Sequence, residues 1–269
     1  DIADPRAVSR RVADDSPDWI INTAAYTAVD RAEGEAAQAS AVNELGATHL
    51  AQAARDAGAR LLHLSTDYVF DGGLNRPYTE QDAAGPLNEY GRGKLRGEHA
   101  VLRIAPQSLV LRTSGVYSEY GHNFVKTMLR LAAGGQPLRV VADQFACPTY
   151  AGDLANAIIG LIERGRADGY GRERGQGLGQ AGPVAGIYHY CGATPVSWHA
   201  FARHIFQCAR QWDGRFPVPD LKAIPASGYP GAAARPAYSV LSCEKIRALG
   251  IESRPLQATL PAVVRALME

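Results

Sequence analysis

The sequence has no apolar run long enough for a membrane-spanning helix, and it shows no signal peptide. No segment approaches the roughly 20 apolar residues that cross a bilayer. Neither sign of charge is in large excess, because 28 Lys and Arg nearly balance 27 Asp and Glu and the net charge is +1. Without a basic arm or patch, no electrostatic argument favours a nucleic acid polymer. We therefore expect a cytoplasmic globular protein that binds neither membranes nor nucleic acid.

Cysteine and histidine are too sparse and too scattered to indicate a metal site. The four cysteines form no C-x-x-C pair and have no zinc-finger spacing to histidine, which favours reduced thiols. The seven histidines include no H-x-x-x-H pair. His189, which lies between two tyrosines in a strand-like stretch, is interpreted as structural.

Short apolar runs alternate with longer helical segments along the first half of the chain. Strands are predicted at 19–22, 60–65, 108–112 and 137–141, and helices at 5–14, 35–57, 86–102 and 123–133. This alternation indicates βαβ units, and therefore an α/β fold with a parallel sheet covered on both faces. Such sheets bind ligands beyond the carboxyl ends of their strands.

The second half of the chain is less regular. It mixes predicted helices at 198–212 and 256–268 with Pro-rich connections, and its Gly- and Arg-rich stretch at 165–186 predicts a mobile surface loop. We expect a dinucleotide-binding domain over 1–144 and mainly a smaller α/β substrate-binding lobe over 145–269.

Tyr90 and Lys94 form the most specific local pattern, Y-x-x-x-K at the start of a predicted helix. Residues four apart share a helical face, so the phenol and the ammonium can enter one pocket. A nearby ammonium is expected to lower the pKa of the phenol, which can then exchange a proton with a carbonyl oxygen. Taken alone, the motif fits a surface pair equally well.

Two further polar stretches end predicted strands. Ser65 and Thr66 place hydroxyls where a substrate carbonyl could be held, although an ordinary turn cap has the same residues. The small residues of Asn-Thr-Ala-Ala-Tyr-Thr, at 22–27, would let a cofactor approach the backbone, or simply pack a strand on a helix.

Together, these stretches resemble the extended short-chain dehydrogenase/reductases and, within them, the dTDP-4-dehydrorhamnose reductase family. The resemblance covers nearly the whole chain except the Gly- and Arg-rich stretch. It rests on S-T-D-Y-V-F-D-G (65–72), P-L-N-x-Y-G-x-x-K (86–94), R-T-S (112–114), N-F-V-K-T-M-L (123–129), D-Q (143–144), P-T (148–149) and A-R-P (234–236).

The resemblance implies a Rossmann-like doubly wound sheet and reduction of a nucleotide-linked keto-sugar at C4 by NADPH or NADH. By this resemblance, Tyr90 would be the catalytic proton donor. Lys94 would tune Tyr90 and bind the nicotinamide ribose, and Thr66 would form a hydrogen bond with the reacting oxygen. Asp67 and Arg235 would contact the substrate. The residues implied to line the cofactor, besides Tyr90 and Lys94, are Asp1, Ile2, Ala25, Tyr26 and Thr27. A homodimer and a Mg²⁺ ion at its interface, with Glu269 as one carboxylate, are left open.

The sequence departs from the family pattern in two places, at its amino-terminal end and at Gly115. No strand with a G-x-x-G-x-x-G turn precedes Asp1, so we expect an amino-terminal βαβ unit of roughly 30 or more residues to be missing. Its absence would weaken dinucleotide binding and expose a sheet edge. Gly115 also stands where the family commonly has Trp, which bears on the sugar that is accepted.

Two alternative functions remain open at this point. Sugar epimerases and dehydratases share the fold, but a dehydratase would need an acid and base pair that Asp67 and Tyr68 do not obviously supply. The beta subunit of methionine adenosyltransferase carries similar motifs as a non-catalytic regulatory subunit. Thr66 together with Arg235 and Pro236 favours the enzyme.

Overall fold

The computed structural model describes residues 1–167 and 184–269. Its helices are α1 (Pro5–Asp15), α2 (Val29–Ala32), α3 (Ala36–Ser40), α4 (Ala47–Ala57), α5 (Glu89–Ile104), α6 (Phe124–Ala133), α7 (Ala151–Ala167), α8 (Trp198–Trp212), α9 (Glu244–Arg247) and α10 (Leu256–Met268). Its strands are β1 (Trp19–Asn22), β2 (Arg60–Thr66), β3 (Leu109–Thr113), β4 (Val116–Tyr117), β5 (Leu138–Val141), β6 (Phe145–Ala146), β7 (Thr149–Tyr150), β8 (Gly186–His189), β9 (Val196–Ser197) and β10 (Leu221–Ile224).

The main sheet has four parallel strands in the order β1-β2-β3-β8. Successive residues of β2 face opposite sides: Leu61 packs with α1 and α4, whereas Leu62 packs with α7. Helices therefore cover both faces, and the α/β prediction with a parallel sheet is confirmed. In the described part of the chain, β1 pairs only with β2, and its outer edge is open.

The helix predicted over 35–57 contains a stretch with wider, π-type turns at 41–46. Such a turn rotates one residue out of the regular helical stripe, and here the buried polar residue is Asn43. The helix predicted from Pro86 instead begins at Glu89, because the Asn88 side chain caps it by accepting from the Gly91 N–H at 2.8 Å.

The described residues include one long helix, α7, that the sequence did not predict, and one predicted strand, β5, in an unexpected place. β5 pairs with β10 in a separate two-stranded parallel sheet instead of extending the main sheet. Around it lies an aromatic and aliphatic core built from α6, α8 and α10. The predicted loop at 165–186 falls mostly outside the described residues, and the division into 1–144 and 145–269 stays a prediction.

None of the described helices combines the length and the apolar character needed to cross a membrane.

Candidate active site

The polar residues singled out in the sequence lie at the carboxyl ends of the main-sheet strands. Asn22 ends β1, Thr66 ends β2 and Thr113 ends β3. Because parallel strands end at the same edge, these positions form one cleft floor, over which the first turns of α5 bring Tyr90 and Lys94. The structure therefore gathers the predicted catalytic residues in one place.

Tyr90 and Thr66 interact through their hydroxyl groups. The Thr66 Oγ1 donates to Asp67 Oδ1 at 3.1 Å and accepts from the Tyr68 N–H at 3.2 Å. Burial raises the pKa of Tyr90 to about 12, the Thr66 contact opposes this, and the Asp67 charge adds to it. The expected lowering of this pKa by Lys94 is therefore wrong for the structure: burial is the largest effect, and Lys94 Nζ donates to a backbone carbonyl on β2 instead.

Lys94 is almost fully buried, and its Nζ donates to the Leu64 carbonyl at 2.6 Å. Burial lowers the pKa of this amine to about 8, against an opposing effect of the Glu98 charge. Its Nζ also lies 3.4 Å from His63 Nε2. The lysine is thus a fixed group whose protonation can change near neutral pH.

Asp67 is a buried carboxylate beneath Thr66. Its Oδ2 accepts from Ser239 Oγ at 2.5 Å and from Ser114 Oγ at 2.8 Å. Burial raises the pKa of Asp67, while these hydroxyl contacts lower it. Ser114 belongs to the R-T-S motif, although its contact with Asp67 was not predicted. Ser239 was not predicted at all, because it lies 172 residues from Asp67 and no local pattern connects the two.

Arg235 reaches the same cleft from the carboxyl-terminal part of the chain. Its Nη2 binds Asp30 Oδ2 at 2.5 Å, and its guanidinium interacts with the Tyr68 hydroxyl. The Tyr68 ring in turn meets the Tyr90 ring edge-on, with 5.9 Å between centroids. Asp30, which the sequence analysis did not select, therefore fixes Arg235 close to the predicted catalytic tyrosine.

The stretch after β1 is held by Asn43 from the π-type turn. Asn43 Oδ1 accepts from the Tyr26 N–H at 2.8 Å, and its Nδ2 donates to the Tyr26 carbonyl at 3.1 Å. The Tyr26 hydroxyl donates to Glu35, Ala25 is half-buried and Thr27 is exposed. Asn43 escaped sequence analysis because its role depends on the irregular turn.

Asp1 and Ile2 lie at the other end of that helical segment. The Ile2 carbonyl is 3.0 Å from His49 Nδ1, and its side chain packs against Gly46 at the start of α4. Asp1 is exposed, and its carboxylate accepts from the Ala3 N–H.

Gly115 follows Ser114 with a positive φ of 51°, a conformation that glycine adopts without strain. A Cβ placed there would lie 3.6 Å from the outer ring edge of Trp198, which packs against Phe124. The space beside Gly115 is thus bordered by an aromatic side chain from α8.

Among the described residues, no cluster of three or more His, Cys, Asp or Glu could hold a metal ion. Glu269 is paired with Arg265 at 2.7 Å. One carboxylate engaged in an ion pair does not fit the oxygen-rich shell that Mg²⁺ requires.

Three comparisons with known proteins identify the family of this chain. The family described as RmlD substrate binding domain matches residues 1–269. A dTDP-4-dehydrorhamnose reductase from Sinorhizobium fredii is 43% identical over all of this chain and 86% of its own length, and one from Escherichia coli is 39% identical over 92% of this chain and 78% of its own length. A solved dTDP-4-dehydrorhamnose reductase from Bacillus anthracis, in complex with NADP, superposes with a TM-score of 0.85 at 33% identity, covering 100% of this chain and 86% of that one. The chain therefore belongs to the dTDP-4-dehydrorhamnose reductase family.

Proposed function

We propose that the protein reduces the C4 keto group of dTDP-4-dehydro-L-rhamnose to give dTDP-L-rhamnose, using NADPH or NADH. The observation that carries this proposal is the meeting of Tyr90, Thr66 and Lys94 at one end of the sheet in a member of this family. The reductase names of its relatives, and the NADP bound by the Bacillus anthracis protein, support both the reaction and the nicotinamide cofactor.

Tyr90 is the proton donor in this proposal. A reduced nicotinamide, when bound, supplies the hydride that C4 receives. The Tyr90 phenol transfers its proton to O4, so the carbonyl becomes a secondary alcohol and the tyrosine is left as a phenolate. With a pKa of about 12, Tyr90 stays protonated at neutral pH until the carbonyl develops negative charge. The Thr66 hydroxyl holds O4 beside the phenol.

Lys94 and the stretch at 25–27 fit a nicotinamide nucleotide. Lys94 Nζ uses one N–H for the Leu64 carbonyl, which leaves N–H groups for ribose hydroxyls. Asn43 fixes the backbone at Tyr26, and the short side chain of Ala25 permits close approach to it. Asp1 and Ile2 would bind nearer the adenosine, as the family resemblance implies.

Arg235 and Asp67 serve the substrate in different ways. The Arg235 guanidinium can bind the negatively charged diphosphate of a nucleotide sugar when it exchanges its contact with Asp30. Asp67 accepts hydrogen bonds from the hydroxyl groups of Thr66, Ser114 and Ser239. It can therefore orient Thr66, and its contact with a sugar hydroxyl would pass through this network.

The dehydratase alternative is disfavoured by the same network. A dehydratase needs an acid and a base that are free beside the threonine, but the Asp67 oxygens are both engaged by hydroxyl groups. The neighbouring Tyr68 is a phenol whose pKa is raised mainly by burial, so it is a poor base. Mg²⁺ enters no step, because the described residues of one chain do not form a site for it.

Consumption of NADPH by the full-length protein with dTDP-4-dehydro-L-rhamnose tests the reaction. Wild-type protein should consume NADPH, and Tyr90→Phe should lose most of its turnover, roughly 100-fold or more, because the proton donor is gone. Tyr120→Phe is the matched control, since Tyr120 is 78% exposed.

Three results would overturn parts of the proposal. Wild-type turnover in Tyr90→Phe would remove Tyr90 as the donor. No NADPH consumption by a folded protein that retains tightly held NAD⁺ would indicate an epimerase or dehydratase. Co-purification with a larger enzyme, again without consumption, would indicate the regulatory subunit.

A further inference from the structure

His63 is a fully buried histidine that the proposed chemistry does not use. It lies on β2, with its ring between Asn22 on β1 and Lys94 on α5. Burial, and the neighbouring Lys94 charge, hold the pKa of His63 well below its ordinary value, so the ring is neutral and carries one proton.

The hydrogen bonds around Asn22 show which ring nitrogen carries that proton. Asn22 Oδ1 accepts from the Ala24 N–H at 3.1 Å, which assigns the other end of the amide as the donor. Asn22 Nδ2 is 2.8 Å from His63 Nδ1, so Nδ1 must accept. The proton of the neutral ring therefore sits on Nε2, the nitrogen that faces Lys94 Nζ at 3.4 Å.

We propose that His63 is a positioning residue that sets how readily Lys94 gives up its proton. The Nε2–H cannot accept a hydrogen bond from the Lys94 ammonium, but it can donate one to the neutral amine. The ring therefore stabilises the neutral amine relative to the ammonium. It also turns the remaining N–H groups of Lys94 away from β2, toward the cleft.

This role deepens the proposed function and rests on it. When Tyr90 has given its proton to the substrate oxygen, a proton can pass from the Lys94 ammonium to the phenolate, leaving a neutral amine and a neutral phenol. His63 then donates its Nε2–H to the amine. The other ionisable groups around Lys94 are Tyr90 and Glu98 on its own helix, and Glu98 is paired with Arg112 on β3 at 2.6 Å.

Asn22→Asp is the sharpest variant, because it is nearly isosteric. A carboxylate can still accept from the Ala24 N–H, but it cannot donate to His63 Nδ1. The ring should therefore move its proton to Nδ1 and present a bare Nε2 to Lys94. His63→Gln removes the Nε2–H more directly, since its amide oxygen can turn toward the ammonium. His99→Gln is the control, because His99 is exposed on the same helix.

The readout is the titration of lysine side chains by ¹³Cε NMR. The chain has four lysines, at Lys94, Lys126, Lys222 and Lys245, so the Lys94 signal can be assigned by its loss in Lys94→Arg. Wild-type Lys94 should titrate with a pKa of about 8. Asn22→Asp and His63→Gln should each raise the Lys94 titration midpoint by about one pH unit. This is the size expected when a hydrogen bond that favours the neutral amine is replaced by one that favours the ammonium. His99→Gln should not move it.

Imidazole ¹⁵N spectra and the pH profile of kcat complete the test. In wild-type protein His63 should be protonated on Nε2, and in Asn22→Asp on Nδ1. The alkaline fall of kcat should move to higher pH with the Lys94 midpoint. An unmoved Lys94 midpoint in Asn22→Asp, or a wild-type ring protonated on Nδ1, overturns the inference. The NMR titration needs no turnover, so failure of the proposed reaction would be seen separately, as absent NADPH consumption by the wild type.

Discussion

At the residue scale, a few buried polar contacts determine what each side chain can do. The motif Y-x-x-x-K predicts the proximity of Tyr90 and Lys94 but not their protonation. The pKa of Tyr90 depends on burial, Thr66 and Asp67, and the pKa of Lys94 on burial and Glu98. Hydrogen bonds join Asp67 to Ser114, 47 positions away in the chain, and to Ser239, 172 positions away. No local sequence pattern predicts such contacts.

Arg235 gives a prediction at this scale. Arg235→Ala should raise the KM for the nucleotide sugar by about 10- to 100-fold, the equivalent of one lost charge-assisted hydrogen bond. The kcat should change much less, because Tyr90 and Lys94 keep their places. Steady-state kinetics with varied sugar measures both constants. Arg55→Ala, at an exposed position on α4, is the control. A KM equal to that of the wild type would exclude Arg235 from substrate binding.

At the scale of elements, strands and helices were largely predictable, because apolar periodicity and caps are local. The predictions of helices at 198–212 and 256–268 are confirmed to the residue. The π-type turn was not predictable, since it depends on how closely α5 approaches the segment before α4. Gly97 on α5 permits that approach: a Cβ there would collide with the Asn43 carbonyl.

Two glycines on α5 provide a matched pair for this contact. Gly97→Ala should push the Asn43 segment away, destabilise the fold by about 1–3 kcal/mol and weaken NADPH binding. Gly93→Ala places its Cβ at an ordinary 3.4 Å from Asn43 Cβ, so it should be tolerated and should gain up to about 1 kcal/mol of helix propensity. Urea unfolding and fluorescence titration with NADPH measure both effects. Equal stability of the two variants would contradict the close contact.

At the scale of the whole molecule, the sheet order and the open edge of β1 are the main features. The parallel order followed from the alternation of strands and helices, but the separate pairing of β5 with β10 did not, because both are short and lie 80 or more residues apart. The expectations of a further amino-terminal βαβ unit and of a homodimer stay predictions.

The open edge of β1 predicts association of this chain when it is expressed by itself. Ile21, 47% exposed on that edge, offers an apolar side chain next to unpaired backbone groups. Ile21→Lys should reduce the association, because a charged residue on an edge opposes pairing with another strand. Light scattering at increasing protein concentration measures this. Ile159→Lys is the control, since Ile159 is also exposed but lies on α7. Association that is equally reduced in both variants would point away from the edge.

The ion pair between Asp30 and Arg235 also has a consequence for the order in which the protein is made. The two residues are 205 positions apart, and at about 5–20 residues per second a ribosome needs roughly 10–40 s to travel that distance. In the later part of that interval, once residue 94 has been added, the nascent chain contains Tyr90 and Lys94 but not Arg235, the partner of Asp30 in the cleft. The cleft is thus completed only late in synthesis, and any chain released before residue 235 would carry the proposed proton donor, Tyr90, without the arginine proposed to bind the substrate.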